Sequence, residues 1–169
     1  MFLVALYPPS NIAREVSRYQ ESIFRSLGLL ACRALPPQIS LGFYTDLPKK
    51  PEGKALRQPS LLEIDGLKLA ESAWYLSAKP CTTIETIIGW LSGQSCRPLY
   101  PTGAGFLLSH ADRKITRPDL EDKLPEAGLG WSTSTLRCIH MQFQRQAVWW
   151  ENCYYEEAWS LKVRRFLQE

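Results

Sequence analysis

The chain has 169 residues, 45% of them hydrophobic and 22% charged, with a formal net charge of +3. That length suits one domain, and the mixture is ordinary for a soluble globular protein; no stretch approaches the roughly 18 apolar residues that a membrane span needs. So small a net charge permits an anionic ligand but excludes the concentrated basicity of a dedicated nucleic-acid binder.

The opening Phe2-Leu3-Val4-Ala5-Leu6-Tyr7 is apolar, lacks a basic start and runs into Pro8-Pro9. These features predict a buried strand rather than a signal peptide, and a cytoplasmic protein. Ser10 or Asn11 is the expected cap of a helix reaching about Leu27. Its apolar residues Ile12, Val16, Tyr19, Ile23 and Leu27 recur every three or four positions, and Gly28 supplies a left-handed stop. Arg14, Arg18 and Arg25 fall on the solvated side.

Leu30 to Tyr44 reads as one or two strands interrupted at Pro36-Pro37. Alternation puts Gln38, Ser40 and Gly42 on one face and Ile39, Leu41 and Phe43 on the other. Residues 46–60, with Pro48, Pro51, Pro59, Lys49-Lys50 and Gly53, form a loop and the best linker candidate. Leu61–Ile64 and Ala73–Ala78 read as hairpin partners about a turn at Asp65-Gly66.

Thr82 to Glu85 has the spacing of a capping box, and Ile84, Ile87, Ile88 and Leu91 continue at helical spacing to Gly93. Pro98 to Gly105 is irregular, Phe106–Ser109 a short strand, and Pro118 to Leu124 a short helix. Thr135–Gln144 and Cys153–Arg165 read as two long strands joined through Trp149-Trp150. The five cysteines, Cys32, Cys81, Cys96, Cys138 and Cys153, have no metal-ligand or redox spacing and read as free thiols of a reducing compartment.

Two short segments carry the chemistry of interest. Pro37-Gln38-Ile39-Ser40-Leu41-Gly42-Phe43 sets a polar pair at i and i+2 on one strand face. Cys138-Ile139-His140-Met141-Gln142-Phe143 does the same with His140 and Gln142, and His140 is one of only two histidines. A histidine on a polar face suits proton transfer near neutrality; its bland alternative is a hydrogen-bonded structural side chain.

Each segment resembles the His-x-Thr/Ser-x signature of the 2H phosphoesterases, the superfamily containing the 2′-5′ RNA ligases and cyclic nucleotide phosphodiesterases. The likeness extends over the opening strand and the helix after it. It implies an α+β fold over residues 1–169: a single two-lobed, duplicated domain with antiparallel sheets lining a central cleft and helices outside. It also implies chemistry that requires no metal or cofactor, with two histidines sharing acid and base work on a phosphodiester.

Here the first of those positions is Gln38, whose amide hydrogen-bonds but does not ionise near neutral pH. Ser40 matches the hydroxyl that steadies the phosphate, and Gln142 replaces its counterpart. Loss of one member of an acid/base pair removes about 10²- to 10⁴-fold in rate, whereas anion binding survives. The expectation is a degenerate member with His140 as its remaining catalytic residue and Gln38, Ser40 and Gln142 as ligand-binding residues. It would hold an RNA end or nucleotide in the cleft with little or no turnover, and Gln38→His would raise that turnover.

Two other readings stand beside it. One is a non-catalytic interaction module that binds a protein partner through the aromatic C-terminal residues Trp149, Trp150, Tyr154, Tyr155 and Trp159. The other is a working phosphodiesterase with a rearranged acid/base pair, for which His110 is the spare histidine. Arg33, Arg137, Arg145 and Lys162 are further phosphate-binding candidates. No reading involves a membrane.

Overall fold

In the computed structural model, which describes residues 1–28, 36–51, 60–70, 73–94, 98–100, 104–110, 116–121, 128–143 and 153–163, the opening strand lies inside a sheet. The elements in chain order are β1 (Phe2–Tyr7), α1 (Ser10–Leu27), β2 (Ile39–Tyr44), β3 (Leu62–Ala70), β4 (Ala73–Ala78), α2 (Thr82–Ser92), β5 (Pro98–Tyr100), β6 (Gly105–His110), α3 (Arg117–Glu121), β7 (Gly130–Trp131), β8 (Ser134–Phe143) and β9 (Cys153–Val163). The protein is therefore a mixed α+β structure. Among the described residues one nine-stranded sheet runs in the order β7-β3-β4-β6-β2-β1-β8-β9, with β5 attached to β2. Every pairing is antiparallel.

From the central β2/β6 pair, the order outward is β1, β8, β9 on one side and β4, β3, β7 on the other. Both inner arms join two neighbouring strands through a helix: β1–α1–β2, and β4–α2–β6 with the short β5 interposed between α2 and β6.

Alternation along β1 separates two cores. Val4 and Leu6 join the main core, to which α1 contributes Ile12, Val16 and Ile23, α2 contributes Ile84, Ile87 and Leu91, and α3 contributes Leu120. Leu3 and Ala5 point the other way and join Ile139 and Met141, with Tyr7 and Phe43 packed alongside, in a cluster made of strand residues alone. The sheet thus has a helix-covered face and a second face whose described packing comes from strands. At about 25 cal/mol per Å² of apolar surface removed from water, burying Phe106 and Leu108 completely contributes a few kcal/mol.

Several local expectations shift. The buried stripe of α1 is Ile12, Val16, Gln20 and Ile23, so Gln20 takes the inward place expected for Tyr19. Gln20 Nε2 donates to the Leu107 carbonyl (3.4 Å), beyond the point where β2 stops pairing with β6. The residue preceding α1 is Pro9, and no side chain caps it; Gly28 does adopt the left-handed stop, with φ 69°. Thr82 is the first residue of α2 rather than its cap. That role falls to Ser60, which accepts from the Thr83 amide (3.2 Å) while Thr83 Oγ1 accepts from the Ser60 amide (2.8 Å).

Asp65-Gly66 is not a turn. β3 runs through it as a bulge, pairing Ile64 with Ala78 and Gly66 with Ser77. Gly66 has φ 125°, the region where a side chain is strained, so an Asp-Gly pair serves a bulge as readily as a hairpin. The exposed Asp65 carboxyl is held below its ordinary range by a hydrogen bond from Lys68. Gln144, Arg33, Arg145, Cys32, Cys96, Trp149 and Trp150 lie outside the described residues. No helix among the described residues is long and apolar enough to cross a membrane.

Candidate functional site

β1 fixes which face each motif residue occupies, because residues directly opposite one another in a sheet share a face. Ser40 is in register with Ala5, a member of the strand-only cluster, so Ser40 lies on the second face. Gln38, two residues earlier at the entrance to β2, shares that face by alternation. Both are nearly inaccessible, Gln38 at 5% and Ser40 at 6% exposure, and the buried Gln38 carboxamide oxygen has no hydrogen-bond partner among the described residues.

A bulge in β2 then changes the parity. Val4 pairs with Gly42 and Ala5 with Ser40, leaving Leu41 as the extra residue. Leu41 joins the main core, and Phe43, in register with Leu3, turns to the second face. The expected grouping of Gly42 with Ser40, and of Phe43 with Ile39, is thereby reversed beyond Leu41.

His140 and Gln142 stand elsewhere. His140 is in register with Phe2 and stacks on its ring at 4.8 Å between centroids; Phe2 packs against the helix-covered core. Cys138, on the same side of β8, is buried in that core. His140 Nδ1 lies 3.4 Å from Glu156, and Gln142 is exposed. The structure therefore brings Gln38 and Ser40 together, and His140 and Gln142 together, on opposite faces of one sheet. The pairing expected of Gln38 and His140 does not form. Alternation within each strand was legible, but the parity between strands is set by their common neighbour. His110 ends β6 in register with Ala73, separated from β8 by β2 and β1.

The second face has its own polar set. One register line crosses six strands: Ser77, Gly105, Ser40, Ala5, Arg137 and Ser160. All but Arg137 are small. Gly105 is crowded: a Cβ there would lie 2.8 Å from the Leu76 carbonyl oxygen and 3.1 Å from Ser77 Cα. Continuing the register past Leu6↔Ile39 puts Tyr7 opposite Gln38.

The Arg137 guanidinium sits 4.6 Å from the Tyr7 ring centroid, a cation–π contact, with its Nε 3.5 Å from a Glu157 oxygen. Burial raises the Tyr7 hydroxyl above its ordinary pKa of 10.0, and Arg137 offsets this only in part, so the phenol remains a donor at neutral pH. Gln38, Ser40, Tyr7 and Arg137 thus offer one amide, two hydroxyls and one cation to the same face, without a group that exchanges protons near neutrality. Arg137 stands among the further phosphate-binding candidates of the sequence, whereas Tyr7 does not, its only signal being a polar tip closing an apolar strand.

Elsewhere two of the three arginines of α1 are committed to surface pairs, Arg18 to Glu15 at 2.7 Å and Arg25 to Glu21 at 2.8 Å, as expected of a solvated helix side. Trp159 is used in packing: its Nε1 donates to the Pro48 carbonyl (2.8 Å) and its ring meets Trp90 edge-on.

This arrangement of elements is similar to the crystal structure of the protein TT0787 of Thermus thermophilus. The TM-score is 0.56 at 11% identity, and the match covers 97% of this chain and 98% of that one. At that identity the likeness is one of fold. No family model matches the chain, and no curated protein matches it.

Proposed function

We propose that the chain has a duplicated, two-lobed fold of the 2H phosphoesterase kind whose second sheet face binds a phosphate-containing ligand, an RNA end or nucleotide, without hydrolysing it. The matched order of strands outward from β2 and β6 supports the duplication. Under it, Gln38-Ile39-Ser40-Leu41 corresponds to Gly105-Phe106-Leu107-Leu108, since Ile39 and Phe106 are opposite one another and both are buried in the main core. The second histidine position is then Gly105 and its hydroxyl position Leu107, so His140 leaves the catalytic assignment and Gln142 leaves the ligand set. Neither of the two histidine positions, Gln38 and Gly105, then holds a proton carrier. The cytoplasm is the compartment this reading takes.

The observation that carries the binding half is the orphaned Gln38 oxygen. A buried acceptor without a donor costs about 1–3 kcal/mol, a cost that a ligand hydroxyl such as a ribose hydroxyl removes. Ser40, the Tyr7 hydroxyl and the Arg137 guanidinium then receive the phosphate as neutral and charged donors.

The test is calorimetric titration with a nucleoside 3′-monophosphate, set against a Gln38→Leu, Ser40→Ala variant, together with an assay of 2′,3′-cyclic nucleotide hydrolysis. Saturable binding that the variant weakens by about 10-fold or more, with no turnover, is the expected result. Turnover abolished by His140→Ala would return catalysis to the other face and overturn the assignment. Equal binding by both proteins, or none at millimolar ligand, would overturn the binding half.

A further inference from the structure

Parallel register lines grade the second face from apolar to polar. The line through Phe43, Leu3 and Ile139 supplies the strand-only cluster. Two residues further along β1, the line through Ser40, Ala5, Arg137 and Ser160 sets one cation among small side chains. Two residues further again, every position is polar. Thr135 pairs with Tyr7 on one side and with Lys162 on the other, and Gln38 stands opposite Tyr7 when the β1–β2 register is continued. Leu161 packs against the helix-covered core and Val163 belongs to it, so alternation directs Lys162 to the second face.

Exposure rises along this polar line. Gln38 is buried, Tyr7 and Thr135 are half-buried, and Lys162 is exposed. With about 4.8 Å between neighbouring strands, Tyr7 stands one step from Gln38 and Lys162 two steps beyond Tyr7, about 14 Å from Gln38 in all. The Arg137 guanidinium, 4.6 Å from the Tyr7 ring centroid, lies over the middle of the line. Its charge is already answered in part by Glu157, at 3.5 Å. Lys162 makes no ion pair among the described residues, and its flexible four-carbon stem lets the ammonium reach back toward Thr135.

We infer that Thr135 and Lys162 form a second phosphate site, and that the ligand of this face is an oligonucleotide end in which two successive phosphates follow a terminal ribose. The inference rests on the ligand proposed above. With a ribose hydroxyl at Gln38 and the first phosphate beside Arg137, the next phosphate of the chain falls on the Lys162 side. A mononucleotide places its one phosphate at Arg137 and leaves Lys162 unused. A hydroxyl and an ammonium near water suit a phosphate that stays partly hydrated, because an ammonium attracts it as a point charge without fixing its orientation. A 5′-hydroxyl end and a 3′-hydroxyl end both present this order of groups.

The experiment is calorimetric titration of the full chain at low ionic strength with uridine 3′- and 5′-monophosphates and with the dinucleotides UpUp and pUpU. Lys162→Gln and Lys162→Arg are titrated alongside; the side chain is exposed, so both variants keep the core intact. At least one dinucleotide should bind about 5-fold tighter than its matched monophosphate, the scale of one solvent-exposed charge contact. Lys162→Gln should abolish that preference and Lys162→Arg should keep it. Preference for UpUp assigns a 5′-hydroxyl end, and preference for pUpU a 3′-hydroxyl end. Monophosphate binding with no dinucleotide preference, or a preference that survives Lys162→Gln, overturns this inference and leaves the ligand reading standing. Equal weakening of mono- and dinucleotides by Lys162→Gln overturns it too, since Lys162 would then act as a general charge. Absence of binding by every one of these ligands at about 1 mM overturns both.

Discussion

A single buried carboxamide distinguishes the readings most sharply. If the Gln38 oxygen is unpaired because a ligand supplies its partner, the ligand-free protein carries a cost that leucine at the same place removes. Gln38→Leu should therefore stabilise the unliganded protein by about 1 kcal/mol in urea unfolding while abolishing nucleotide binding. Destabilisation would show that the oxygen has a partner after all. Tyr7 offers a second residue-level test through pH. Its phenol is raised from 10.0 by burial, so the folded state holds that proton more tightly than the unfolded chain. The contribution is fully present below pH 10 and is lost as pH rises above it. Melting temperatures of wild type should therefore fall more steeply between pH 9.5 and 11 than those of Tyr7→Phe, the range being set by the ordinary tyrosine value of about 10; parallel curves would remove the desolvation argument.

Among the elements, α2 depends on a cap supplied from outside its own sequence. Ser60 and Thr83 exchange amide and hydroxyl bonds at 3.2 and 2.8 Å, tying the entrance of β3 to the first turn of α2. Ser60→Ala should cost about 1 kcal/mol, the usual worth of an N-terminal cap, and Thr83→Val a similar amount. The double variant should cost less than the sum, since each hydroxyl serves the other's amide. Full additivity in denaturant midpoints would mean that the two bonds act separately. The same comparison shows why the capping box at Thr82 was misleading: its spacing is local, but the helix entrance was already occupied by a residue from another segment.

For the whole molecule, the catalytic expectation changes. Restoring one histidine at Gln38 was expected to raise hydrolysis by completing a pair with His140. The sheet interposes itself between those positions, and the corresponding site on β6 is Gly105, with the Leu76 carbonyl 2.8 Å from where a Cβ would stand. Gln38→His should therefore leave 2′,3′-cyclic nucleotide hydrolysis undetected, because the second histidine position is still occupied by Gly105. A rise of about 10²-fold would show that His140 or another group reaches the same face.

What the sequence determined by itself was whatever depends on neighbours a few residues apart. The buried opening strand, the α1 stripe at Ile12, Val16 and Ile23, the left-handed stop at Gly28, and the two long closing strands all follow from periodicity and backbone freedom. So did the polar pair Gln38 and Ser40 on one strand face. What only the tertiary structure decided was how those local parities combine. β1 aligns Ala5 with both Ser40 and Arg137, and Phe2 with His140. Once Ala5 and Phe2 point to opposite sides of a strand, the two motif segments must do so too. A one-residue difference in register exchanges the faces of every side chain in a strand, and no local pattern in either segment records which register the sheet adopts.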